Sequence, residues 1–382
     1  MPRYFFDTNP FQMEALPEPF ASVTHGQQQY PIYKARLRAI PSLLDAHGLD
    51  GSTTFIVTDE NVAELYLPGI QHDLEASGRR VRYHIVPPGE KSKSFSELQK
   101  LYNAALETGI DRQTPLLALG GGVVGDLAGF AAATLLRGIP LIHLPTSLIA
   151  QVDSSIGGKT GINHKQGKNL IGSFYQPEFV CLDITTVNTL PLREWTSGLA
   201  EVVKHGLIAD ARFFDKIVRH SGDMLSRETT SIEEVIPRAA SIKAGIVERD
   251  LHEHGVRAHL NFGHTFGHAL EKECGYGTLT HGEAVFLGMR VALHLSHKLH
   301  EKQELKLALD AITDFPINAD PSSVSVEALM RAMKRDKKVK QGRVHYVLLK
   351  GLGDPYVTAD IDPAVIRESW YEALNSSPVS LQ

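Results

Sequence analysis

The stretch PLLALGGGVVGDLAGFAAATLLRG, residues 115–138, sets the architecture of the chain. Its apolar residues 115–119 predict a strand that is buried on both faces, as in a parallel sheet. Gly120, Gly121 and Gly122 then let the backbone turn tightly into an alanine-rich helix, whose free amides and positive dipole suit a phosphate group. A tight turn without a ligand remains the alternative.

Further strands and helices alternate around this stretch. Strands are predicted at 53–61, 81–89 and 141–147, where β-branched or apolar runs end in polar or proline-rich loops. Residues 95–109 show the apolar spacing of an amphipathic helix that ends at Gly109. Because strand–helix–strand alternation is typical of a parallel sheet covered by helices, we expect an α/β fold in this half.

The second half of the chain has a different character. Long segments such as 192–208 and 231–250 show helical periodicity, and only 343–351 has the pattern of a late strand or hairpin. A chain of 382 residues is long enough for two cores. We therefore predict an α/β domain at 1–190 and a mainly helical domain at 191–382, with a ligand site in the cleft between them.

Composition and charge exclude several classes of protein. The net charge of −5 argues against a nucleic-acid-binding or anionic-membrane-binding surface. Charged and proline residues break the most apolar region, 115–152, below membrane-spanning length, and the N-terminus lacks the pattern of a secretory signal. Cys181 and Cys274 stand in apolar contexts that favour buried, reduced thiols. We expect a cytoplasmic protein without nucleic-acid or membrane partners.

Two histidines lie four residues apart in HLNFGHTFGHALE, residues 259–271. If this stretch is helical, His264 and His268 project from one face, a spacing known in zinc sites. Since the chain has 18 histidines, a buried pair that only hydrogen-bonds to the backbone is an equally good interpretation. A metal site needs a third ligand, and Glu201 could supply it from an apolar helical segment. The alternative for Glu201 is an ion pair with Lys204.

Two glycine-containing loops carry further polar groups. Residues 87–94, PPGEKSKS, offer Glu90 and Lys93 to a ribose or a pyrophosphate, although in isolation a solvated charged loop is the better interpretation. Residues 151–172 lack clear periodicity and are rich in lysine and amide side chains, which predicts a long loop. Such loops are often functional, and these side chains suit an anionic, hydroxylated substrate. A solvated loop is the alternative.

Six motifs resemble, in their order along the chain, those of the sugar-phosphate cyclase family and most closely its 3-dehydroquinate synthase branch. They are GGGVVGDLAGFAAATLLRG, PTSLIAQVDSSIGGKTGINHKQGKNLIGSFYQP, AEVVKHGLI, NFGHTFGHALE, HGEAV and RDKK, within a resemblance that runs from about residue 53 to 351. The resemblance implies a Rossmann-like NAD-binding domain followed by a mainly helical metal- and substrate-binding domain, usually in a homodimer. It also implies a carbon–oxygen lyase that converts 3-deoxy-D-arabino-heptulosonate 7-phosphate to 3-dehydroquinate and phosphate, in the shikimate pathway of aromatic amino-acid biosynthesis.

The resemblance also assigns roles to individual residues. It implies that Zn²⁺ or Co²⁺ is held by Glu201, His264 and His281, which leaves His268 as an acid/base group. The residues implied in catalysis and substrate binding are His268, Lys204, Lys159, Asn169, Asp153, Lys243, Arg257, Asn261 and Lys337 or Lys338, with Arg137 reaching into the partner subunit's site. Those implied in NAD binding are Asp59, Asn61, Glu90, Lys93, Gly121, Gly122, Asp126, Thr146, Ser147, Lys159, Lys168, Thr186, Thr189, Leu190 and Glu194.

The chain departs from the family pattern at two places. Ser147 follows Thr146 where most members have a second threonine, and the hydroxyl is retained. Leu251 replaces an acid, because the family's DERE segment is DLHE here.

Two other functions compete with this interpretation, while a third, a non-catalytic nucleotide-binding protein, is disfavoured by the intact metal- and phosphate-binding residues. One is a related cyclase that makes an aminodehydroquinate or a cyclitol, and here Arg257, Leu260 and Asn261 favour a carboxylate-bearing substrate. The other is a metal-dependent polyol dehydrogenase with net NADH release, against which Glu201 with Lys204 argues.

Overall fold

A computed structural model describes residues 16–275, 277–317, 324–334 and 343–375. The strands are β1 (Pro19–His25), β2 (Gln28–Lys34), β3 (Thr53–Asp59), β4 (Arg80–Val86), β5 (Leu116–Gly120), β6 (Leu141–Pro145), β7 (Lys159–His164), β8 (Gly167–Phe174), β9 (Phe179–Leu182), β10 (Tyr346–Leu349) and β11 (Pro355–Thr358). Seven of them form one sheet in the order β1-β2-β9-β6-β5-β3-β4, and β7–β8 and β10–β11 form separate hairpins. All neighbours in the large sheet are parallel except β1 and β2, which confirms the predicted α/β fold.

The topology of the sheet creates a crevice. The chain runs from β3 outward to β4 and then crosses back to β5 on the other side of β3. Open α/β sheets bind ligands at such a reversal, outside the carboxyl ends of the two strands. Asp59 ends β3 and Gly120 ends β5, so the glycine turn at 120–122 lies at this position.

Helices cover the sheet and make up most of the second half. They are α1 (Ile40–Ala46), α2 (Glu60–Ala76), α3 (Phe95–Glu107), α4 (Gly122–Thr134), α5 (Leu192–Ala209), α6 (Ala211–Arg219), α7 (Ser221–Leu225), α8 (Thr229–Arg249), α9 (His264–Glu273), α10 (His281–His300), α11 (Gln303–Thr313), α12 (Val326–Lys334) and α13 (Pro363–Asn375). Alternate residues of β3 face opposite ways, since Phe55 packs in the core with α3 and α4 while Ile56 packs in the core with α1 and α2.

The segment at 151–172 differs from the predicted loop. Residues Ala150–Ser154 form a short π-helix, and the β7–β8 hairpin follows it. The sequence did not predict this hairpin, because its glycines weaken the strand propensity. They are required here, since a Cβ atom at Gly172 would lie 2.0 Å from the carbonyl oxygen of Thr160. The sequence analysis also did not predict the β1–β2 hairpin.

Helix α10 organises the second half. A Cβ atom at Gly282 would lie 1.9 Å from the Ser197 carbonyl oxygen, and one at Gly288 would lie 2.0 Å from that of Gly263. Glycine therefore lets α10 approach α5 and the start of α9 closely. The largest apolar cluster joins residues of the sheet, such as Val180, to residues of these helices, such as Val202, so the division near residue 190 stays a prediction.

Two further expectations concern thiols and membranes. Cys181 is a buried free thiol, as predicted, whereas the free thiol Cys274 is only partly buried. Among the described helices, none combines the length and the apolar character needed to cross a membrane.

Candidate active site

Three side chains from three helices converge at the centre of the second half. Glu201 lies on α5 and is fully buried, while His264 and His281 are the first residues of α9 and α10. The Oε1 atom of Glu201 lies 3.7 Å from Nε2 of His264 and 3.6 Å from Nε2 of His281. A zinc ion with ligands at about 2.0–2.2 Å in tetrahedral geometry separates them by roughly 3.4 Å, so this spacing fits a divalent ion.

The hydrogen bonding of Glu201 supports the same interpretation. Its Oε2 atom accepts a hydrogen bond from the Lys204 ammonium, whereas the buried Oε1 atom has no hydrogen-bond partner among the described residues. Burial raises the pKa of Glu201, but Lys204 and His281 together outweigh it, and the net pKa is lowered. Glu201 is therefore an ionised carboxylate with one oxygen available as a ligand.

The two histidine rings are oriented by oxygen atoms behind them. The Nδ1 atom of His264 lies 3.2 Å from the Phe262 carbonyl oxygen, and that of His281 lies 3.8 Å from Oε1 of Glu271. Burial lowers the pKa of His281, but Glu201 and Glu271 outweigh it and raise it to about 10. An ion at this site would displace that proton.

His268 does not join His264 in the candidate ligand set, although their spacing in the sequence is one known in zinc sites. Its ring centroid lies 5.7 Å from that of His264 and 6.4 Å from that of His281, and its nitrogens are outside the candidate ligand set. The stretch 259–271 is helical only from His264, because a 3₁₀ turn and a left-handed Gly263 come first. His268 thus lies beside the candidate metal site.

A buried cluster of charges adjoins Glu201. Lys243 places its ammonium 2.7 Å from Oδ1 of Asp153. Burial lowers the pKa of Lys243 to about 8 despite the opposing charge of Asp153. Burial raises the pKa of Asp153, but Lys243 and Lys204 outweigh it and depress the pKa well below its usual range. The site therefore contains two ammonium groups beside the candidate metal ligands, which suits an anionic substrate.

His205 belongs to this cluster and was not singled out in the sequence. It is fully buried, and neither ring nitrogen has a hydrogen-bond partner among the described residues. Together with Asp153 and Glu201 it forms a second group with ligand atoms close enough for an ion. The ammonium groups of Lys204 and Lys243, bound to the same two carboxylates, oppose a cation there.

Arg257 is also buried, with 1% of its surface exposed. Its guanidinium donates hydrogen bonds to the carbonyl oxygens of Leu251 and of Gly157, the latter at 2.9 Å. Gly157 has a φ of 103°, which favours glycine, and a Cβ atom there would lie 2.4 Å from Arg257 Nη2. Because Arg257 uses the backbone of Leu251, whose side chain packs against the apolar core, the missing acid at 251 does not disturb this contact.

A second cluster of polar side chains surrounds the carboxylate of Glu253, another residue that the sequence analysis missed. Its carboxylate pairs with the Lys159 ammonium and accepts a hydrogen bond at 2.6 Å from Asn261 Nδ2. Two residues implied in substrate binding therefore meet at one carboxylate. The backbone of Glu253 has a positive φ of 60°, which is uncommon outside glycine.

Lys93 connects several residues implied in NAD and substrate binding through its ammonium group. Its ammonium lies 2.6 Å from Oδ2 of Asp126 and 3.6 Å from Oε1 of Glu90, and it donates a hydrogen bond to Asn169. Asp126 therefore pairs with Lys93 rather than with helix amides. This network spans the turn before α3, the first turns of α4 and the β7–β8 hairpin.

The remaining cofactor-side residues line the crevice or pack beneath it. Asp59 accepts hydrogen bonds from the amides of Asn61 and Val62 at the start of α2. The Thr189 hydroxyl pairs with Tyr66 at 2.6 Å, and Thr186 is buried, where it accepts a hydrogen bond from Gln151. Thr146, Ser147 and Leu190 are buried or partly buried, and Asn61 and Glu194 are exposed.

The glycine turn and the metal ligands are joined by the π-helix. A Cβ atom at Gly122 would lie 3.0 Å from Oγ of Ser154, and the preceding residue, Asp153, belongs to the charged cluster beside Glu201. The predicted cofactor site and the candidate metal site are therefore parts of one region.

One implied substrate contact, Arg137, stands apart from this region. Arg137 is exposed and follows the C-terminal end of α4, about 20 Å along that helix from the glycine turn. Lys337 and Lys338 lie outside the described residues.

Comparison with known families places the chain. A model described as 3-dehydroquinate synthase N-terminal matches residues 83–197, and one described as 3-dehydroquinate synthase C-terminal matches residues 198–339. The chain belongs to the 3-dehydroquinate synthase family. The 3-dehydroquinate synthase of Salinibacter ruber is 50% identical over 367 residues, which cover 94% of this chain and 100% of that protein. That of Syntrophotalea carbinolica is 44% identical over 345 residues, 89% of this chain and 95% of that protein. These matches confirm the predicted family and lyase activity.

Solved structures confirm the predicted fold. A 2-epi-5-epi-valiolone synthase from Streptomyces hygroscopicus, with NAD⁺ and Zn²⁺ bound, has a TM-score of 0.83 at 27% identity, over 93% of this chain and 99% of that one. An iron-containing alcohol dehydrogenase from Thermotoga maritima has a TM-score of 0.64 at 15% identity, over 90% of this chain and 98% of that one. The dehydrogenase likeness is one of fold alone, so the fold does not separate cyclases from dehydrogenases.

His281→Ala tests the metal site. We expect the affinity for Zn²⁺ to fall by more than about 100-fold, because loss of a partner behind a ligand alone costs 10–100-fold. The measurement is chelator competition followed by metal analysis of the folded protein. The control is His297→Ala on the same helix, where the ring contacts the Lys302 carbonyl oxygen. Stoichiometric metal in His281→Ala at wild-type affinity would remove this residue from the ligand set.

Proposed function

We propose that the 3-dehydroquinate synthase reaction of this family takes place between the glycine turn and the metal ligands. The observation that supports this location is the contact between Gly122 and Ser154, next to Asp153 of the charged cluster. A hydroxylated carbon that binds over the cluster can therefore face both a nicotinamide and a divalent ion. The substrate would be 3-deoxy-D-arabino-heptulosonate 7-phosphate, and the products 3-dehydroquinate and phosphate.

We infer that NAD and a zinc ion serve this site, as both are bound in the valiolone synthase described above. When bound, NAD removes and returns a hydride, and the ion acts as a Lewis acid on the reacting oxygens. The ion would be held by Glu201, His264 and His281. The pyrophosphate would lie on the amides at the start of α4, where the helix dipole favours an anion.

Cationic side chains define where the substrate's two anionic groups bind. Arg257 keeps its guanidinium plane in place through two backbone carbonyls, and its Nε has no hydrogen-bond partner among the described residues. We assign the substrate carboxylate to Arg257. We assign the phosphate to the position that the Glu253 carboxylate now holds between Lys159 and Asn261, because an oxyanion is already accommodated there.

Proton transfer would fall to residues around these positions. His268 lies one helical turn after His264 and is partly exposed, so it can exchange protons with a bound substrate. Lys243 has a pKa of about 8 because burial opposes its charge, which lets it hold or release a proton near neutral pH. Lys204 remains bound to Glu201 and orients the ligand carboxylate.

The rival functions make different demands on the same residues. A polyol dehydrogenase would bind a neutral substrate, which gives no use for the two buried ammonium groups of Lys204 and Lys243. A cyclase for a sugar phosphate without a carboxylate would have no use for Arg257 as a carboxylate partner. An aminodehydroquinate synthase would use the same residues, so it is separated from our proposal only by the substrate.

Incubation with the heptulosonate phosphate, NAD and Zn²⁺ tests the proposed reaction. We expect one phosphate per molecule of 3-dehydroquinate and no accumulation of NADH, since the hydride is returned within each turnover. Phosphate assay, product chromatography and absorbance of NADH measure these three quantities. NADH formed in proportion to product would favour the dehydrogenase, and turnover of the amino analogue alone would favour the aminodehydroquinate synthase.

Arg257→Lys tests the carboxylate assignment. Lysine cannot reproduce the planar fork, and charged hydrogen bonds contribute roughly 1.5–3 kcal/mol, so kcat/KM should fall by about ten- to a hundred-fold. The control is a substrate analogue without the carboxylate, on which the variant should lose much less activity. Equal losses on both compounds would show that Arg257 does not bind the carboxylate.

We further propose a homodimer in which Arg137 completes the partner's site. The supporting observation is the position of Arg137 beyond the far end of α4, about 20 Å from the glycine turn of its own chain. Arg137 and Leu136 both have positive φ angles, 69° and 51°, so the loop holds the arginine in an uncommon backbone conformation. Strain of this kind often accompanies a functional position.

Subunit mixing tests this assignment. Arg137→Ala and Lys204→Ala should each be nearly inactive as homodimers. Mixed dimers contain one intact site if Arg137 acts across the interface, so random mixing should restore about one quarter of wild-type activity. A mixture of Lys204→Ala with His281→Ala is the control and should restore none. No recovery in the first mixture, with mixed dimers shown by mass spectrometry, would place Arg137 in its own chain's site.

A further inference from the structure

We propose that Glu271 is a positioning residue for the metal site. Its carboxylate holds the His281 imidazole so that Nε2 faces the ion, and the same carboxylate also binds Lys168. The inference rests on the metal site proposed above. It concerns a residue that the motif analysis passed over and that lies outside the candidate ligand set of Glu201, His264 and His281.

The geometry places the His281 ring between two carboxylates. Its Nε2 lies 3.6 Å from Oε1 of Glu201, and its Nδ1 lies 3.8 Å from Oε1 of Glu271. A movement of about 1 Å brings the second pair to hydrogen-bond length. Glu271 is 6% exposed and lies on α9 two turns after His264, on the same face. A buried carboxylate therefore lies directly behind a candidate ligand.

The other imidazole shows the same arrangement. The Nε2 of His264 faces Glu201, and its Nδ1 lies 3.2 Å from the Phe262 carbonyl oxygen. An oxygen behind each ring selects the tautomer with hydrogen on Nδ1 and leaves Nε2 as the ligand atom. Because the oxygen behind His281 belongs to a carboxylate, it also makes that imidazole the more basic ligand of the two.

Lys168 links this contact to the cofactor side of the site. Its ammonium lies 3.2 Å from the same Oε1 atom of Glu271 that faces His281. Lys168 belongs to β8, in the hairpin that packs against α4. An ammonium and an imidazole N–H therefore share one oxygen atom, and a shift of Lys168 toward a cofactor phosphate would leave more of that oxygen to His281.

Glu271→Gln and Glu271→Leu test the positioning role. Glutamine keeps a neutral acceptor, so the Zn²⁺ affinity should fall by about ten-fold, and leucine keeps none, so it should fall by about a hundred-fold. The readouts are chelator competition without NAD or substrate, and the visible d–d spectrum of the Co²⁺-loaded protein, which should change in both variants. The matched control is Glu273→Gln, an exposed position on the same helix. Wild-type metal affinity in both Glu271 variants would overturn the proposal.

Lys168→Met tests the sharing of the carboxylate. Removal of the competing ammonium should leave the Zn²⁺ affinity at or above that of the wild type, and in a Glu271→Gln background it should have no effect. A loss of affinity of the same size in both backgrounds would contradict the sharing. If His281→Ala retains the metal, the metal site itself is wrong; if only the Glu271 variants retain it, this inference alone fails.

Discussion

The buried carboxylate of Glu201 is the constraint on which the site depends. An ionised group without water needs a partner for each oxygen, and Lys204 serves only Oε2. The other oxygen faces two imidazole nitrogens at 3.6 and 3.7 Å, an arrangement that a divalent cation completes. We therefore expect a bound ion to raise the free energy of unfolding of the protein as well as to serve the reaction.

The fold brings the partners of Glu201 together by close helix packing. Gly282 and Gly288 let α10 approach α5 and the start of α9, so that His281 and His264, each at the first position of its helix, meet the middle of α5. The large sheet positions the glycine turn. Its reversal at β3 and β5 places the glycine turn next to the π-helix that carries Asp153, which brings the proposed cofactor and substrate sites close together.

The sequence predicted those features that depend on local pattern. The apolar run before Gly120 gave a buried strand, and the spacing of 95–109 gave a helix that ends before a left-handed Gly109. It could not predict the β7–β8 hairpin, because close backbone contact there requires glycines that weaken a strand signal.

Long-range placement explains the rest. His281 could be assigned as a ligand only through the family resemblance, since no spacing relates it to Glu201. Glu253 and Glu271 were overlooked because charged residues in polar or helical stretches ordinarily face water. Their roles depend on contacts with Lys159 and Lys168, which lie 94 and 103 residues away in the chain. Leu251 stood out as a missing acid, yet it is its backbone carbonyl that accepts a hydrogen bond from Arg257.

Anomalous diffraction from crystals grown with Zn²⁺, recorded on both sides of the zinc absorption edge, tests the central claim most directly. We predict one strong peak within about 2.0–2.2 Å of Oε1 of Glu201 and of Nε2 of His264 and His281, with a fourth position open to solvent or substrate. A peak between Asp153, Glu201 and His205, or the absence of a peak near Glu201 in crystals that hold zinc elsewhere, would contradict it.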